Sequence, residues 1–423
     1  MKVLIVNTAE RTGGAAIAAN RLLTALNRQG ITAKMLVRDR KSDDTNVMTL
    51  NNPVRNKVNF VWERFVIWSV NGFSRRNLWD VDIANVGTDI TRLPEFQEAD
   101  VIHLHWINQG FLSLDDIARI VATGKPVVWT MHDMWPFTGI CHYSNGCELY
   151  KSECHDCPQL IHGSRNDLSA KTFKKKQEIY RYANITFVGC SRWIADLAGK
   201  SVLTRGKRIV NIPNAIDTQL FRPTEKTEAR KNCCLPIDKK LILFGAAKTT
   251  DPRKGMNYLI DALKLLTERY DTFSRDVQVV LVGGRDNTYA DTFPLTVHPM
   301  GYVSDEWQMV EIYNAADIYV TPSLQDNLPN TIVEAMACGL PCVGFNTGGV
   351  PQMITHGANG YVAEYRSADD LANGIHKLLF ESDLNELSRE ARATAVSQYS
   401  EPVAASRYAD VYRTAIKVHT QVK

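Results

Sequence analysis

Apolar positions in this chain come in short continuous runs separated by stretches of helical periodicity, and the pattern runs through twice. In the first half the runs are Val3–Asn7, Ile31–Val37, Asp100–Trp106, Pro126–Met131 and Ile185–Gly189, followed by Val210–Pro213. Strands of a parallel sheet covered on both faces read as unbroken apolar runs, so each of these predicts a buried strand. Ile17, Leu22, Leu23 and Leu26 are spaced as one face of a helix that ends before Gly30. The pattern then restarts with runs at Leu241–Gly245, Val277–Gly283, His298–Val303, Asp317–Thr321 and Leu340–Phe345. Met256, Leu259, Ile260, Leu263 and Leu266 mark the first helix of this second half. Strand–helix alternation in both halves predicts an α/β protein of two doubly wound domains, their strands' carboxyl edges facing a cleft. We place the first domain at residues 1–207, with a cysteine-rich insertion at 139–162, and the second at 208–395. The helical segment 396–423 is expected to return to the first domain.

One segment departs from the alternation. VNFVWERFVIWSVNGFSRRNLW (Val58–Trp79) carries Trp62, Phe65, Trp68, Phe73 and Trp79 beside Arg75 and Arg76. A core or interdomain helix is the favoured reading. The sharper alternative is a membrane-surface or lipid-acceptor element, since aromatic and basic residues together suit a headgroup interface. The basic run Lys171–Lys176 adds to that alternative, although a solvated helix face explains it equally well.

Composition narrows the class. With 423 residues, two domains are the prior, and 44% hydrophobic with 22% charged residues is ordinary for a globular chain. A formal charge of +3 gives no reason to expect nucleic acid as a partner. The apolar start leads directly into a glycine turn, which suits a first strand better than a signal peptide, and no run approaches the ~20 apolar residues of a membrane span. A cytoplasmic location follows as the expectation, with a peripheral position at the inner face of the plasma membrane as its variant.

Candidate chemistry gathers at four places. Asp326 sits in the polar turn after the Ile318–Val320 run, and Glu334 lies in the helix that follows. A strand end, a polar turn and a helix N-terminus form the anion- and ribose-binding corner of an open α/β sheet. Taken alone, Glu334 is explained as the partner of Thr331 in a capping box, and Asp326 as a turn residue. Gly13-Gly14 follows the first strand but lacks G-x-G-x-x-G, which disfavours a nicotinamide enzyme. His132 stands at a strand's carboxyl end, where ligands bind, whereas His103 and His105 share a strand face and read as buried structural residues. Cys141, Cys147, Cys154 and Cys157 fall within seventeen positions ending in C-x-x-C, with His142 and His155 as substitutes. A reducing compartment disfavours disulfides, and the pattern reads first as a structural metal site, zinc by its tetrahedral thiolate spacing, then as four unligated thiols, with an iron–sulfur cluster third. Asp80-Val81-Asp82 is a weak D-x-D match and is assigned no metal.

Taken together, these motifs resemble the retaining glycosyltransferases of the GT-B fold, family four, over essentially the whole chain. The resemblance rests on Gly13-Gly14, His132-Asp133, IPNAIDTQLFRP (212–223), RKG (253–255), MGYVSD (300–305) and TPSLQDNLPNTIVEAMACGLPCV (321–343). The last carries the family's motif of a carboxylate, seven residues and a glutamate, and the branch most similar makes bacterial surface polysaccharides. The resemblance implies two Rossmann-like domains and a nucleoside diphosphate sugar as donor. It implies a saccharide or lipid-linked acceptor, and no cofactor for the chemistry. It also implies roles: Glu334 on the ribose, Asp326 on hydroxyls of the transferred sugar, Lys254 on the diphosphate, and His132 over the donor sugar. Gly13 and Gly14 would approach the phosphates and Gly301–Val303 the base, with Arg253 and the amides of Asn330 and Thr331 as further donors.

Three departures set this chain apart. Asp326 replaces the usual glutamate, Leu328-Pro329 replaces Phe-Gly, and the arginine expected after Gly245 is absent, with Lys248 or Arg253 as substitutes. The implied reaction is front-face transfer with retention. An epimerase of the same fold and a non-catalytic sugar-nucleotide-binding protein are the competing readings.

Overall fold

The computed structural model describes residues 1–422 except 51, 247–250 and 285–291. Lys248 therefore lies outside the described residues. The chain divides into two compact units, one formed by Met1–Asn214 with Ala404–Lys423 and the other by Ala215–Val403.

The first unit holds a seven-stranded parallel sheet. Its strands are β1 (Lys2–Ala9), β2 (Thr32–Asp39), β3 (Val47–Thr49), β4 (Val101–Leu104), β5 (Val127–Met131), β6 (Ile185–Gly189) and β7 (Arg208–Asn211), in spatial order β3-β2-β1-β4-β5-β6-β7. The order reverses between β1 and β4, so that pair is the switch point of the sheet. Helix α1 (Gly14–Arg28) follows β1 and buries Leu22, Leu23 and Leu26. The second unit holds a six-stranded parallel sheet of β8 (Lys240–Gly245), β9 (Val277–Val282), β10 (Val297–Gly301), β11 (Ile318–Thr321), β12 (Cys342–Phe345) and β13 (Gly360–Ala363). Their order is β10-β9-β8-β11-β12-β13, with the switch point between β8 and β11. Each sheet has its own core, around Leu4, Ile102, Trp129 and Phe187 in one and Ile242, Phe244, Leu263 and Val320 in the other.

The structure shifts two boundaries. Arg208–Asn211 pairs in parallel with β6, so it completes the first sheet and does not open the second domain at residue 208. Its burial is only partial, as an edge strand's should be, so nothing in its pattern tied it to the first sheet. The final helix, Glu401–Val422, groups with the first unit from Ala404 onward, whereas the expected change lay at residue 396. There Tyr408 bonds Thr130 (2.9 Å) and the Tyr412 hydroxyl bonds Nδ1 of His103 (2.8 Å). The short strands β3 and β13 escaped the sequence pattern because they are edge strands, only partly buried, and so do not read as continuous apolar runs.

The aromatic segment is the largest surprise. It forms α2 (Pro53–Val70), capped by the side chain of Asn52 on the amide of Arg55. The residues α2 buries are Asn59, Glu63, Arg64 and Ile67, whereas Val54, Val58, Val61, Trp62 and Phe65 are exposed. The core reading fails, and the reason is visible on the inner face. Glu63 accepts hydrogen bonds from the amides of Ile83 (2.9 Å) and Ala84 (2.7 Å). Arg64 donates to the carbonyls of Leu78 (2.6 Å) and Val81 (3.1 Å) and pairs with Asp82. Turning the apolar face inward would strand these buried groups, at several kcal/mol each.

Candidate functional site

In the second unit the candidate residues converge at the switch point. After β8 the chain makes a single turn of 3-10 helix at Pro252–Lys254 and enters the helix Met256–Arg269 through Gly255. Gly255 has φ +69°, and a Cβ there would lie 1.8 Å from the carbonyl oxygen of Pro322, just beyond β11. Glycine is thus required for the lysine turn to close on the neighbouring strand end. The Leu324 amide donates to the Arg253 carbonyl at 2.7 Å across the same seam. The result places Nζ of Lys254 2.7 Å from Oδ2 of Asp326, with both side chains partly exposed.

Asp326 is held from behind as well. Its carbonyl oxygen accepts from the Gly349 amide at 3.2 Å, and a Cβ on Gly348 would sit 1.8 Å from that oxygen. Gly348-Gly349 therefore belongs to the site. A glycine pair after a strand was visible in the sequence, but its partner was not. Arg253 turns onto Asp251 (2.8 Å), and its hydrogen bonds keep the Asp251 carboxyl below the usual range despite the upward push of burial.

The helix Asn330–Ala337 starts with Pro329 as N-cap and has no side-chain capping bond, so the capping-box explanation of Glu334 does not hold. Glu334 is buried and accepts from the Tyr313 hydroxyl at 2.8 Å. Burial and the adjacent Glu334 raise the Tyr313 hydroxyl well above its ordinary value, so it remains a donor. Tyr313 lies in the preceding helix, Glu306–Ala315, with no motif to mark it. The amides of Asn330 and Thr331 stand in the first turn, outside the ladder of intrahelical bonds. Gly301 ends β10 with φ +66°, and its carbonyl accepts from the Gly283 amide at 2.7 Å.

In the first unit Gly13 is the N-cap of α1 (φ +91°) and has open space where a Cβ would point, with Gly14 as the first helical residue. His132 follows β5. Its Nε2 shares a hydrogen bond with Nδ1 of His105 (2.9 Å), and its Nδ1 lies 3.5 Å from Sγ of Cys190. Behind them Nε2 of His103 bonds the Thr130 hydroxyl at 2.7 Å. Burial lowers His132 to about 4 and His103 to about 3, and it takes His105 well below its usual value. All three imidazoles are therefore neutral at pH 7, and none of them can offer positive charge to a phosphate. His105, read from sequence as purely structural, touches His132 directly.

Next to this trio runs a buried polar chain. Asp133 accepts from Trp106 Nε1 (2.9 Å) and from the Trp135 amide (2.9 Å), and it bonds Nδ1 of His142 (2.7 Å). Nε2 of His142 bonds Asp82 at 2.6 Å, and Asp82 in turn meets Arg64 of α2. Both ring nitrogens of His142 are thus engaged, which removes it as a substitute metal ligand. Asp82, the second carboxylate of D-x-D, has the same structural duty. The basic run loses one member too, because Lys176 is buried with Nζ against the carbonyls of Trp135 (2.5 Å), Thr138 (3.1 Å) and Gly139 (3.1 Å).

Cys141, Cys147, Cys154 and Cys157 all border one small cavity of ≈ 20 Å³, with His155 beside them. All four are free thiols. Among the described residues, no group of three or more His, Cys, Asp or Glu is arranged to hold a metal ion as it stands.

Two family models match the chain: Glycosyltransferase Family 4 over residues 12–220 and Glycosyl transferases group 1 over residues 238–381. The chain is 26% identical over 336 residues to a D-inositol 3-phosphate glycosyltransferase of Corynebacterium aurimucosum, covering 75% of this chain and 72% of the relative. It is 25% identical over 324 residues to a putative colanic acid biosynthesis glycosyl transferase of Escherichia coli, covering 70% and 73%. Among solved structures, Anabaena HepE in complex with UDP and glucose superposes with a TM-score of 0.64 at 16% identity, over 98% of this chain and 100% of that one. That likeness speaks for the fold.

Proposed function

This chain is a glycosyltransferase of the GT-B fold, its first half matching family four and its second half group 1, and we propose that it moves a hexosyl unit from a nucleoside diphosphate sugar to a saccharide or lipid-linked acceptor with retention of configuration. The observation that carries this is the pairing of Lys254 with Asp326 at the second sheet's switch point, beside the N-terminus of the helix Asn330–Ala337. The pathway we favour is polysaccharide biosynthesis, which the colanic acid relative supports. HepE binds UDP and glucose, which supports a nucleotide sugar as the donor.

Breaking the anomeric bond leaves charge on the diphosphate. Lys254, Arg253 and the amides of Asn330 and Thr331 would stabilise that charge as fixed donors, with no metal taking part. Asp326 holds hydroxyls of the transferred sugar, Glu334 the ribose, and the turn at Gly301 the base. Gly13 and Gly14 approach the phosphates, and His132 contacts the sugar as a neutral imidazole. The acceptor hydroxyl attacks from the leaving-group side, and the departing phosphate takes its proton.

The test is incubation with a panel of nucleoside diphosphate sugars, with and without lipid-linked and simple saccharide acceptors, followed by the anomeric configuration of the product. Transfer that depends on acceptor, with retention, is expected. An inverted product would overturn the front-face route, and a new sugar nucleotide formed without acceptor would make the protein an epimerase.

Two further expectations belong with this reading. No helix among the described residues is long and apolar enough to cross a membrane. We assign a peripheral contact at the inner face of the plasma membrane to the exposed face of α2. For the cysteine loop we assign a structural zinc drawing the four sulfurs together, supported by a cavity that has room for about one water-sized particle. Metal analysis of protein purified without chelator should return one zinc per chain, and a folded, zinc-free sample would remove it.

A further inference from the structure

The outward face of α2 does not end in plain surface. Beside its first turns opens a cavity of ≈ 620 Å³, bordered by Arg38, Arg40 and Thr49 from the end of the sheet and by Asn56, Lys57 and Phe60 from α2. Three cations face it against one carboxylate, Asp39, which pairs with Arg38 at 2.6 Å. Arg38 also stacks over the Phe60 ring, 5.6 Å from its centroid, and Arg40 is braced by the Ser42 (2.7 Å) and Asp44 (3.0 Å) carbonyls. The guanidinium groups are therefore positioned by the fold. From this opening Val54, Val58, Val61 and Phe65 run along one exposed stripe of the helix, about 16 Å at 1.5 Å per residue. Beyond it Trp62, Phe65, Trp68 and Phe73 form a continuous ladder of ring contacts, with centroids 5.8, 6.0 and 4.8 Å apart.

A concave basic site opening onto an exposed apolar stripe matches a ligand that has a compact polyanionic head joined to a long apolar tail. We propose that this cavity takes the diphosphate of a lipid-linked saccharide acceptor, with Arg40 and Lys57 on its oxygens, Arg38 fixed in the wall by Asp39 and the Gln109 carbonyl, and the lipid lying along α2. Resting on the transferase reading above, the proposal selects the lipid-linked class of acceptor and supplies its anchoring site. The net positive charge favours a diphosphate over a neutral glycan. A merely adhesive membrane surface would need the stripe but not the cavity. The buried Glu63, Arg64 and Asp82 contacts lock the rotation of the helix, so stripe and cavity stay in register.

Full-length protein is tested by co-sedimentation with phosphatidylcholine vesicles carrying farnesyl diphosphate, and with vesicles carrying phosphatidylglycerol at matched surface charge. Binding to the diphosphate vesicles should be at least about tenfold tighter, as two charge-assisted contacts would give. Arg40→Ala and Lys57→Ala should abolish that preference while leaving residual partition onto both vesicles. Phe65→Ser and Trp62→Ser should weaken binding to both alike. Equal affinity for the two vesicle types, or a preference that survives Arg40→Ala with Lys57→Ala, overturns the proposal. Each variant is checked for an unchanged melting temperature, and nucleotide-sugar binding is measured by calorimetry on the same samples. If nucleotide sugar binds but the diphosphate preference is absent, only this inference falls. If nucleotide sugar fails to bind, the transferase reading falls first.

Discussion

Two helices of similar length show how differently the two units use their apolar residues. The helix Met256–Arg269 hides Met256, Leu259, Ile260, Leu263 and Leu266 in the core of its own unit and leaves its polar face outside. Helix α2 largely reverses this, burying Asn59, Glu63 and Arg64 with Ile67 as its one fully buried apolar side chain, and showing solvent a row of valines and aromatics. The first helix is held by area removed from water, at roughly 25 cal/mol per Å². The second is held mainly by charge-assisted hydrogen bonds to Leu78, Val81, Asp82, Ile83 and Ala84, with a small apolar cluster at Ile67 near its end. A helix anchored by directional bonds can leave its apolar side available to a partner. One unit thus encloses its chemistry, whereas the other presents a surface.

The sharpest way to test the enclosed side is Lys254→Ala. If Lys254 steadies the leaving diphosphate, transfer should fall by roughly 10²–10³, as loss of one preorganised donor does elsewhere. Near-normal turnover in a folded variant would take the charge chemistry away from that lysine. For the presenting side, the two faces of α2 should respond oppositely. Arg64→Ala strips Asp82 of a buried partner and should cost about 3–5 kcal/mol in denaturant unfolding. Phe65→Ala, on the outer face, should stay within about 0.5 kcal/mol. Comparable losses at both positions would mean that α2 is an ordinary core helix and would dissolve the contrast.

Legibility from sequence followed the same division. Nearly every strand of both sheets was visible, because parallel strands covered on both faces are continuous apolar runs. The turn at Asp326 was visible because a strand end, a polar turn and a helix start follow one another there, whereas Lys254 was marked only by the family resemblance. What supports them was not visible. Tyr313 meets Glu334 across 21 positions, and Gly349 grips Asp326 through backbone alone. The orientation of α2 was misread for a physical reason: aromatic density argues for burial until the partners of Glu63 and Arg64 are known. Those partners lie in an irregular segment with no periodicity. Arg208–Asn211 was misassigned because an edge strand is only half covered.

A smaller effect is expected at Tyr313. Tyr313→Phe removes one hydrogen bond to a buried carboxylate and keeps the ring, so its measured contribution, about 1.5–3 kcal/mol for a charged acceptor, sets the scale. Nucleotide affinity by calorimetry should drop by roughly tenfold or somewhat more, and Glu334→Ala should drop it further. If Tyr313→Phe leaves affinity untouched, Glu334 is positioned by its helix alone, and the enclosed site is less dependent on its support than the structure implies.

The smallest signal lies in pH dependence, and it probes the buried histidines of the first unit. His132, lowered by burial to about 4, stays neutral in the folded chain while an unfolded histidine gains its proton near 6.5. Between those values the unfolded state binds more protons, so stability falls as pH drops from about 6.5 toward 4. His103 and His105 are shifted the same way and add to the slope. Asp133, the carboxylate beside His132, has its pKa lowered by His142 and the Trp135 amide against the upward push of burial, so its contribution is lost only at still lower pH. The two windows are therefore separable. A melting-temperature series from pH 7.5 to 5 should decline with acid, and His132→Gln should make the decline shallower without removing it. An unchanged slope would mean that His132 is open to water and free to protonate, and the imidazole proposed to face the donor sugar would then carry a charge.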